Sequence, residues 1–404
     1  PTPGWCSTTG SPNTPSDRGR LMTDQKLADR RPAPTATVAA MLAVVTVAGL
    51  VVALSGCGKP AGGQAPSSSS PASTASTGRQ GPSGQRQYQL TATIPVGSGP
   101  GGVAVDPGTR TVYVAHAGRE GAHGAVSVID ATTHTVGRTV RVAKGSSGVA
   151  VDPATHTVYV TNSEDGTVTV MDGATLTVTD TVPVGPSPRA VAVDPGSHTV
   201  YVGGSDDRSG QGMVSVIDGS TRKVVVTVAV GKYLGGLAVD PGNHAVYVTN
   251  SADDSVSVID TSTNTVTATL AVGQWPDTVA VDPATHSVYV GTRDPEGAAQ
   301  DTQPPSRSGR VSVIDGSTRT VVATVPIGKS VDAVAVDSAT DTVYVAKFAD
   351  DTVSVIDGSK RAVTATVSMG HSSLGHGVAV DPDTHAVYVT SFNDDTVSVI
   401  ELAQ

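Results

Sequence analysis

The chain has 404 residues and a formal net charge of −10 at pH 7. This acidic balance excludes a protein that holds nucleic acid on a basic face, so we expect no nucleic-acid partner. The 45 glycines, 26 prolines and low aromatic content of 3% indicate many tight turns and favour an all-β chain over a helical one.

The first 57 residues have the pattern of a secretory signal with a lipidation site. Basic residues between positions 18 and 31 precede an apolar run over 37–54, which ends in Leu-Ser-Gly-Cys at 54–57. A basic region, an apolar region and small residues before a cleavage point are typical of an exported protein. The last four residues resemble the bacterial lipobox, and this resemblance implies cleavage before Cys57 and a diacylglyceryl group on its sulfur.

An uncleaved transmembrane anchor is the alternative for this segment, because about 18 apolar residues can just span a bilayer. With either anchor we expect the rest of the chain to lie outside the cytoplasm, attached to the outer face of the cell membrane. Met22 opens a signal of ordinary length, so we interpret residues 1–21 as preceding the true translation start. Residues 58–87 are rich in Ser, Gly and Pro, which predicts a disordered tether.

Residues 88–404 repeat one pattern seven times. Each repeat has a strand reading Val-Ala-Val-Asp, a turn, a strand reading Val-Tyr-Val, a variable loop and a strand reading Val-Ser-Val-Ile-Asp. The aspartates that end the first strand are Asp106, Asp152, Asp194, Asp240, Asp282, Asp337 and Asp381. A period of about 40 to 45 residues built from strands alone is typical of a β-propeller. The sequence therefore predicts an all-β, seven-bladed propeller with four antiparallel strands, A to D, in each blade.

The seventh repeat contains no D strand of its own. Its last strand is the C strand at 396–402, whereas residues 88–97 have the D-strand pattern with no A, B or C strand before them. We therefore predict that an N-terminal strand at about residues 88–96 completes the last blade and removes the open sheet edge.

The tetrapeptide Tyr-Val-Thr-Asn occurs at 159–162 and again at 247–250, with variants in the other blades. In this respect residues 88–404 resemble the YVTN family of bacterial and archaeal seven-bladed propellers, which includes surface-layer proteins and secreted or lipid-anchored proteins. The resemblance implies the fold. It implies no single biochemical activity, because one fold hosts many functions.

Two repeated sets of polar residues are interpreted as scaffold. Histidines that follow an aspartate by four residues recur at His156, His198, His244, His286 and His385. We interpret them as turn residues, because positions spread around a wide ring cannot converge on one metal ion. The acidic pairs of the B–C loops are interpreted as turn formers on a solvated edge rather than as calcium ligands. These pairs are Glu164-Asp165, Asp253-Asp254, Asp350-Asp351 and Asp394-Asp395.

Departures from the repeat indicate where a ligand would bind. The A–B and C–D turns are nearly uniform, whereas the B–C and D–A loops on the opposite face vary in length and chemistry, and variable loops on a rigid scaffold are where function is usually found. We call this opposite face the variable face. Its candidate binding residues are Tyr233, Trp275, Phe348, Phe392, Arg189 and Arg293. The alternative is that the aromatic side chains pack against the blade tops.

A second candidate site lies where the innermost strands of blades 5, 6 and 7 begin. These positions carry Asp277, Asp332 and His376, with His371 nearby. Two carboxylates and a histidine are able to ligate a divalent metal ion or to exchange protons, and ordinary ion pairs are the alternative. No other cofactor is evident, because no Cys-x-x-Cys-His haem motif is present.

We expect a lipid-anchored, cell-surface propeller that acts as a non-enzymatic binding or structural scaffold. The membrane is its partner through Cys57, and a cell-wall glycan, a surface protein or a small molecule is its ligand on the variable face. The alternative is an enzyme resembling lactonase or lyase propellers, with Asp277, Asp332, His371 and His376 at the mouth of the channel.

Overall fold

The computed structural model describes residues 87–118, 122–293, 309–370 and 377–403. All of these residues belong to one of the chain's two units, Gly78–Gln404. The leader, Cys57 and most of the tether lie outside the described residues, and so do His371 and His376. Within the described ranges, no helix is long and apolar enough to cross a membrane.

The described strands form seven four-stranded antiparallel sheets. Strand β1 (Tyr88–Pro95) comes first in the chain and belongs to the last blade. Blade 1 contains β2 (Pro100–Asp106), β3 (Thr111–His116), β4 (Ala125–Asp130) and β5 (Thr135–Arg141). Blade 2 contains β6 (Ser146–Asp152), β7 (Thr157–Asn162), β8 (Thr167–Asp172) and β9 (Thr177–Pro183). Blade 3 contains β10 (Pro188–Asp194), β11 (Thr199–Ser205), β12 (Gln211–Asp218) and β13 (Lys223–Lys232).

The other blades have the same plan. Blade 4 contains β14 (Leu234–Asp240), β15 (Ala245–Asn250), a short 3₁₀ helix (Ser251–Asp253), β16 (Ser255–Asp260) and β17 (Thr265–Ala271). Blade 5 contains β18 (Thr278–Asp282), β19 (Ser287–Arg293), β20 (Gly309–Asp315) and β21 (Thr320–Gly328). Blade 6 contains β22 (Ala333–Asp337), β23 (Thr342–Lys347), β24 (Thr352–Asp357) and β25 (Ala362–Ser368). Blade 7 contains β26 (Val378–Val380), β27 (Val387–Ser391), β28 (Thr396–Leu402) and β1.

The blades close into a ring, which confirms the predicted seven-bladed propeller. Each innermost strand contacts the innermost strands of both neighbouring blades, including β26 against β2 across the junction of the last and first blades. The closing strand is confirmed as well, because β1 pairs with β28 from Tyr88 opposite Leu402 to Pro95 opposite Thr396. Two further backbone hydrogen bonds extend this pairing, from Val96 N to the carbonyl of Asp395 (2.8 Å) and from Ala403 N to the carbonyl of Gln87 (2.7 Å).

The hydrophobic core lies between the blades. Strand B is buried on both faces because each blade packs between two others. Strand D at the outer rim is mostly exposed, with a buried residue near its end in β5. The seven strand-B tyrosines are almost fully buried. The Tyr113 hydroxyl donates to the carbonyl of Gly173 in the C–D turn of the next blade (3.3 Å), and Tyr247 does the same to Gly316 (3.3 Å). Burial raises the pKa of Tyr113 to about 12, so this hydroxyl remains a donor at physiological pH.

The repeated histidines connect neighbouring blades. Each aspartate that ends strand A closes its own turn, as the Asp152 carboxylate does by accepting from Ala154 N (3.0 Å). In four of the five blades that carry it, the histidine of the same turn instead contacts the aspartate of the preceding blade. Imidazole Nδ1 lies 2.7 to 3.0 Å from a buried carboxylate oxygen in the pairs His156–Asp106, His198–Asp152, His286–Asp240 and His385–Asp337. These side chains therefore stabilise the contact between blades as well as the turn.

The acidic B–C loops also hold neighbouring loops in place. The Asp254 carboxylate accepts from Trp275 N (2.8 Å), and the Asp395 carboxylate accepts from Gly99 N (2.8 Å). In both cases the aspartate lies in one blade and the N–H group lies in the D–A loop that leads into the next blade. The carboxylates thus fix the positions of the loops on the variable face.

Candidate functional site

A cavity of about 260 Å³ lies on the variable face, over blades 3 to 5. Its walls come from the D–A loops that lead into three successive blades and from the B–C loops of blades 3 and 4. The D–A loops and the strands they enter contribute Ser187, Arg189, Tyr233, Leu234, Trp275 and Asp277. The B–C loops and the strand end before them contribute Ser205, Asp206, Asp207 and Ser251.

Tyr233 and Trp275 occupy equivalent backbone positions, seven residues before the aspartate that ends strand A. The corresponding residue has a positive φ in each of the first five blades, where Gly99, Gly145, Ser187, Tyr233 and Trp275 have φ values of 67°, 71°, 45°, 51° and 48°. Glycine adopts this left-handed conformation without steric cost, whereas a bulky side chain adopts it at a cost of about 1 kcal/mol. The backbone therefore accepts glycine here, and the fold does not require an aromatic residue.

Both aromatic side chains are accessible while their main chains are fixed. Tyr233 is 50% exposed and Trp275 is 48% exposed. Tyr233 N donates to the carbonyl of Gly210 (2.8 Å), and the Tyr233 carbonyl accepts from Ser251 N (2.9 Å). The Trp275 main chain is held by Asp254. The rings are thus presented at the cavity from a well-ordered backbone, which lowers the entropic cost of binding.

The charges around the cavity have both signs. Two of its three carboxylates are already engaged: Asp206 accepts from Ser209 N (2.8 Å) and Arg208 N (3.2 Å), and Asp277 accepts from Arg293 Nη2 (2.9 Å). The backbone and side-chain hydrogen bonds from Ser209 hold the pKa of Asp206 below its usual range, so this carboxyl is ionised at neutral pH. Over the part of the chain that the structure describes, neither Asp207 nor the Arg189 guanidinium has an ion-pair partner.

Arg293 lies between the two carboxylates of the second candidate site. Its Nη2 donates to Asp277 Oδ2 (2.9 Å) and to Asp332 Oδ1 (3.2 Å). The other oxygen of Asp332 accepts from Ser330 Oγ (2.8 Å) and Phe348 N (2.6 Å). The structure therefore brings Asp277 and Asp332 together, as the sequence indicates, but around a cation that compensates their charge.

The metal and proton-transfer hypothesis for this site also involves His371 and His376, which lie outside the described residues. Among the described residues, no group of three or more His, Cys, Asp and Glu side chains is arranged to hold a metal ion.

The other two candidate aromatic residues lie elsewhere on the variable face. Phe348 and Phe392 are each 45% exposed, and neither lines the cavity. The ring of Phe392 packs over Gly99, where an added Cβ would lie 3.3 Å from the ring. The four aromatic residues are therefore divided between the cavity and other parts of the face.

The sequence reasoning missed several lining residues, including Ser187, Asp206 and Asp207. The signal for the two aspartates is in the sequence, because the B–C loop of blade 3 is longer than that of blade 4 and departs from the repeat. Arg189 and Asp277, which the sequence assigns to two separate candidate sites, line the same cavity.

These observations define the class of protein: a seven-bladed β-propeller with a cavity among its variable loops. Among solved structures, the chain is similar to Kuenenia stuttgartiensis hydrazine synthase, with a TM-score of 0.66 and 20% sequence identity over 76% of this chain and 96% of that chain. At this level of identity the similarity shows the fold alone. No protein-family model matches the sequence, and no curated protein matches it.

Proposed function

We propose that this protein is a non-enzymatic binding propeller that takes a compact ligand in the cavity over blades 3 to 5. The observation that carries the proposal is the pair Tyr233 and Trp275, two half-exposed aromatic residues that line one cavity at backbone positions where the fold accepts glycine. Exposed aromatic rings on a strained backbone do not stabilise the fold, but they offer contact area to a ligand.

The size of the cavity favours a small molecule, or one unit of a larger chain such as a cell-wall glycan. Its volume of about 260 Å³ is slightly below the lower end of the usual range for ligand pockets, about 300 to 1,000 Å³. Carbohydrates, amino acids and small organic ions are of suitable size.

The charge pattern favours binding over catalysis. A general base or a metal ligand needs a carboxylate that is free to accept a proton or an ion. Asp277 and Asp332 are both bound to Arg293, so neither carboxylate is free for these roles. The lactonase-like or lyase-like alternative would need these same groups, so we prefer the binding function.

We also propose that the propeller is held at the outer face of the cell membrane by a lipid on Cys57. The support is the leader sequence, in which an apolar run is followed by Leu-Ser-Gly-Cys at 54–57. The tether over 58–87 then gives the propeller reach from the membrane.

Tryptophan fluorescence tests the binding function without a label. The chain has two tryptophans, Trp5 and Trp275, so in the full chain carrying Trp5→Phe the emission reports the cavity alone. We expect a saturable change in emission with at least one class from a panel of neutral saccharides, amino acids, organic cations, organic anions and lactones. Tyr233→Gly should weaken that binding at least about tenfold, because it removes half of the aromatic contact.

Two results would contradict the proposal. One is a panel in which no compound changes the emission of Trp275. The other is turnover of a lactone that Asp332→Asn abolishes, which would establish the enzymatic alternative.

A further inference from the structure

The cavity presents one unpaired charge of each sign. Arg189 and Asp207 both line it, and neither has an ion-pair partner among the described residues. Its other two carboxylates have partners within the protein, Asp206 in its own turn and Asp277 at Arg293. A ligand therefore meets Arg189 and Asp207 as the groups whose charge the protein leaves uncompensated.

The geometry points to a small zwitterion as the ligand, with its cationic group against Asp207 and the two aromatic rings and its anionic group on Arg189. This inference rests on the proposed binding function and specifies the ligand class for the same cavity. The shared chemistry is an ammonium group joined by a short linker to a carboxylate, as in a betaine or an α-amino acid.

The aromatic pair suits the cationic end of such a ligand. The faces of tryptophan and tyrosine carry negative electrostatic potential, and they attract ammonium groups, including quaternary ones that form no hydrogen bonds. Tyr233 and Trp275 are both about half exposed, so their rings are available for this contact. Asp207 adds a formal negative charge beside the same cavity.

Arg189 suits the anionic end. A guanidinium is planar and presents paired N–H donors that match the two oxygens of a carboxylate. Arg189 lies near the start of β10, at an irregularity between the paired residues Pro188 and Ala190. Its main chain is fixed by these neighbours and by Thr161 Oγ1, which donates to the Arg189 carbonyl (3.1 Å). An ammonium ligand without an anionic group would leave this arginine uncompensated and would be repelled by it.

A neutral or purely anionic ligand fits less well. A neutral saccharide would partly desolvate Arg189 and Asp207 without compensating either charge, which is costly. Among the residues that line the cavity, the three carboxylates Asp206, Asp207 and Asp277 outnumber the single guanidinium of Arg189, which disfavours a simple anion. A compact zwitterion matches both unpaired groups.

The test compares four probes on the full chain carrying Trp5→Phe: glycine betaine and L-leucine as zwitterions, choline as a cation of the same head group, and glucose as a neutral control. We expect at least one zwitterion to bind, and to bind at least about tenfold more tightly than choline or glucose. The affinity should fall as salt is added, because both ionic contacts are partly exposed.

Two variants separate the roles of the charged groups. Arg189→Gln should lower the affinity for the zwitterion at least about tenfold and leave binding of choline unchanged or improved. Asp207→Asn should weaken binding of both ligands. Arg138→Gln, which removes an exposed arginine on β5 of blade 1, is the matched control and should change neither affinity.

Each other outcome is decisive. The inference is wrong, while the binding function stands, if glucose binds at the cavity and neither zwitterion does. The same conclusion follows if Arg189→Gln and Asp207→Asn both keep the zwitterion affinity of the parent chain. If none of the four probes and no member of the wider panel changes Trp275 emission, both are wrong.

Discussion

At Trp275 the fold constrains the main chain but does not require the aromatic side chain. Its φ of 48° falls in a region that Gly99 and Gly145 occupy in the equivalent loops of blades 1 and 2. The carboxylate of Asp254 holds its main-chain N–H, and that contact does not depend on the side chain. Removing the indole should therefore affect the ligand and leave the loop intact.

We predict that Trp275→Gly abolishes ligand binding, measured by calorimetry, and leaves the free energy of unfolding unchanged or raised by up to about 1 kcal/mol, because glycine relieves the strained backbone. Phe348→Gly is the matched control, since it removes an equally exposed aromatic side chain from the same face outside the cavity. Equal loss of binding in the two variants would place the ligand away from the cavity.

Asp341 lies in the A–B turn of blade 6. Among the described A–B turns, it is the one carboxylate at the position where five other blades have the repeated histidine. Asp282 is the carboxylate whose charge acts on it most strongly. Burial, together with the nearby carboxylates of Asp282 and Asp357, raises the pKa of Asp341 above its ordinary value of 3.8. Ionised Asp341 therefore costs stability.

The pH dependence follows from the direction of this shift. A group with a raised pKa in the folded state contributes its stability at pH values below its unfolded pKa, near 3.8, and that contribution is lost as the pH rises through the folded pKa. We predict that Asp341→His raises the free energy of unfolding at pH 7 by about 0.5 to 1 kcal/mol, by forming a pair with Asp282 like those of the other blades. Urea unfolding at pH 4 and pH 7 measures this, and the gain should be smaller at pH 4.

His286→Asp is the reciprocal control. It would place a carboxylate against Asp240, from which His286 Nδ1 now lies 3.0 Å away. We expect it to lower stability at pH 7 more than at pH 4. A stabilising effect of this substitution would contradict the view that the histidines hold the blades together.

At the scale of single elements, β1 is the strand whose loss should matter most. It joins the two ends of the chain by pairing with β28, and Ile94 packs into the cluster shared with blade 1. At its other end, Tyr88 lies edge-on to Tyr344 of blade 6, with ring centroids 5.9 Å apart. The strand therefore contributes to the interfaces on both sides of blade 7.

We predict that deleting residues 88–95 lowers the melting temperature by about 10 °C or more, because it removes buried apolar contacts and exposes the edge of β28. Deleting residues 58–80 should leave the melting temperature unchanged within about 1 °C. Equal melting temperatures for the two deletions would contradict closure of the ring by β1.

The sequence predicted the elements that are determined by patterns of neighbouring residues within one segment of the chain. Alternating side chains and a fixed repeat determine the strands, and the unmatched D-strand pattern at 88–97 identifies the closing strand. The pairing of His286 with Asp240 was not predictable in the same way, because the two residues are 46 positions apart and meet only when the blades pack. The same holds for Arg293 between Asp277 and Asp332, which belong to different blades.

The candidate site was predictable in part for the same reason. Tyr233, Trp275, Arg189 and Asp277 differ from the repeat, so comparison between blades identifies each of them. These residues line one cavity because the D–A loops of three blades lie close together, and the sequence pattern does not specify how those loops pack. Asp207 illustrates this limit, because the longer B–C loop of blade 3 marks it as a departure from the repeat, but only the structure shows that it lines the cavity.

At the scale of the whole molecule, we expect a lipid anchor on Cys57 to determine where the protein is located. If Cys57 carries lipid, its acyl chains bury methylene groups in the membrane at about 0.8 kcal/mol each, which makes attachment durable. We predict that the wild-type protein sediments with membranes. Cys57→Ser removes the sulfur to which the lipid is attached, so this variant should move to the soluble extracytoplasmic fraction or remain as an uncleaved precursor. Lys59→Ser, two residues further on, is the control and should leave the distribution unchanged. Identical fractionation of wild type and Cys57→Ser would contradict lipid anchoring.

Under the proposed function, the ring as a whole separates structural support from ligand recognition. The uniform A–B and C–D turns carry the repeated contacts between blades, and the B–C and D–A loops carry the residues that differ. With this division, the D–A loops that carry Tyr233 and Trp275 can bind a ligand without disturbing the packing between the seven blades.

A crystal structure of the protein with the tightest-binding compound of the panel tests the site most directly. We expect the compound to lie between Tyr233 and Trp275, within hydrogen-bonding distance of Arg189 or Asp207, with the propeller backbone unchanged. A ligand bound instead beside Asp332 in the channel, or over Phe348 and Phe392, would show that the cavity over blades 3 to 5 is not the binding site.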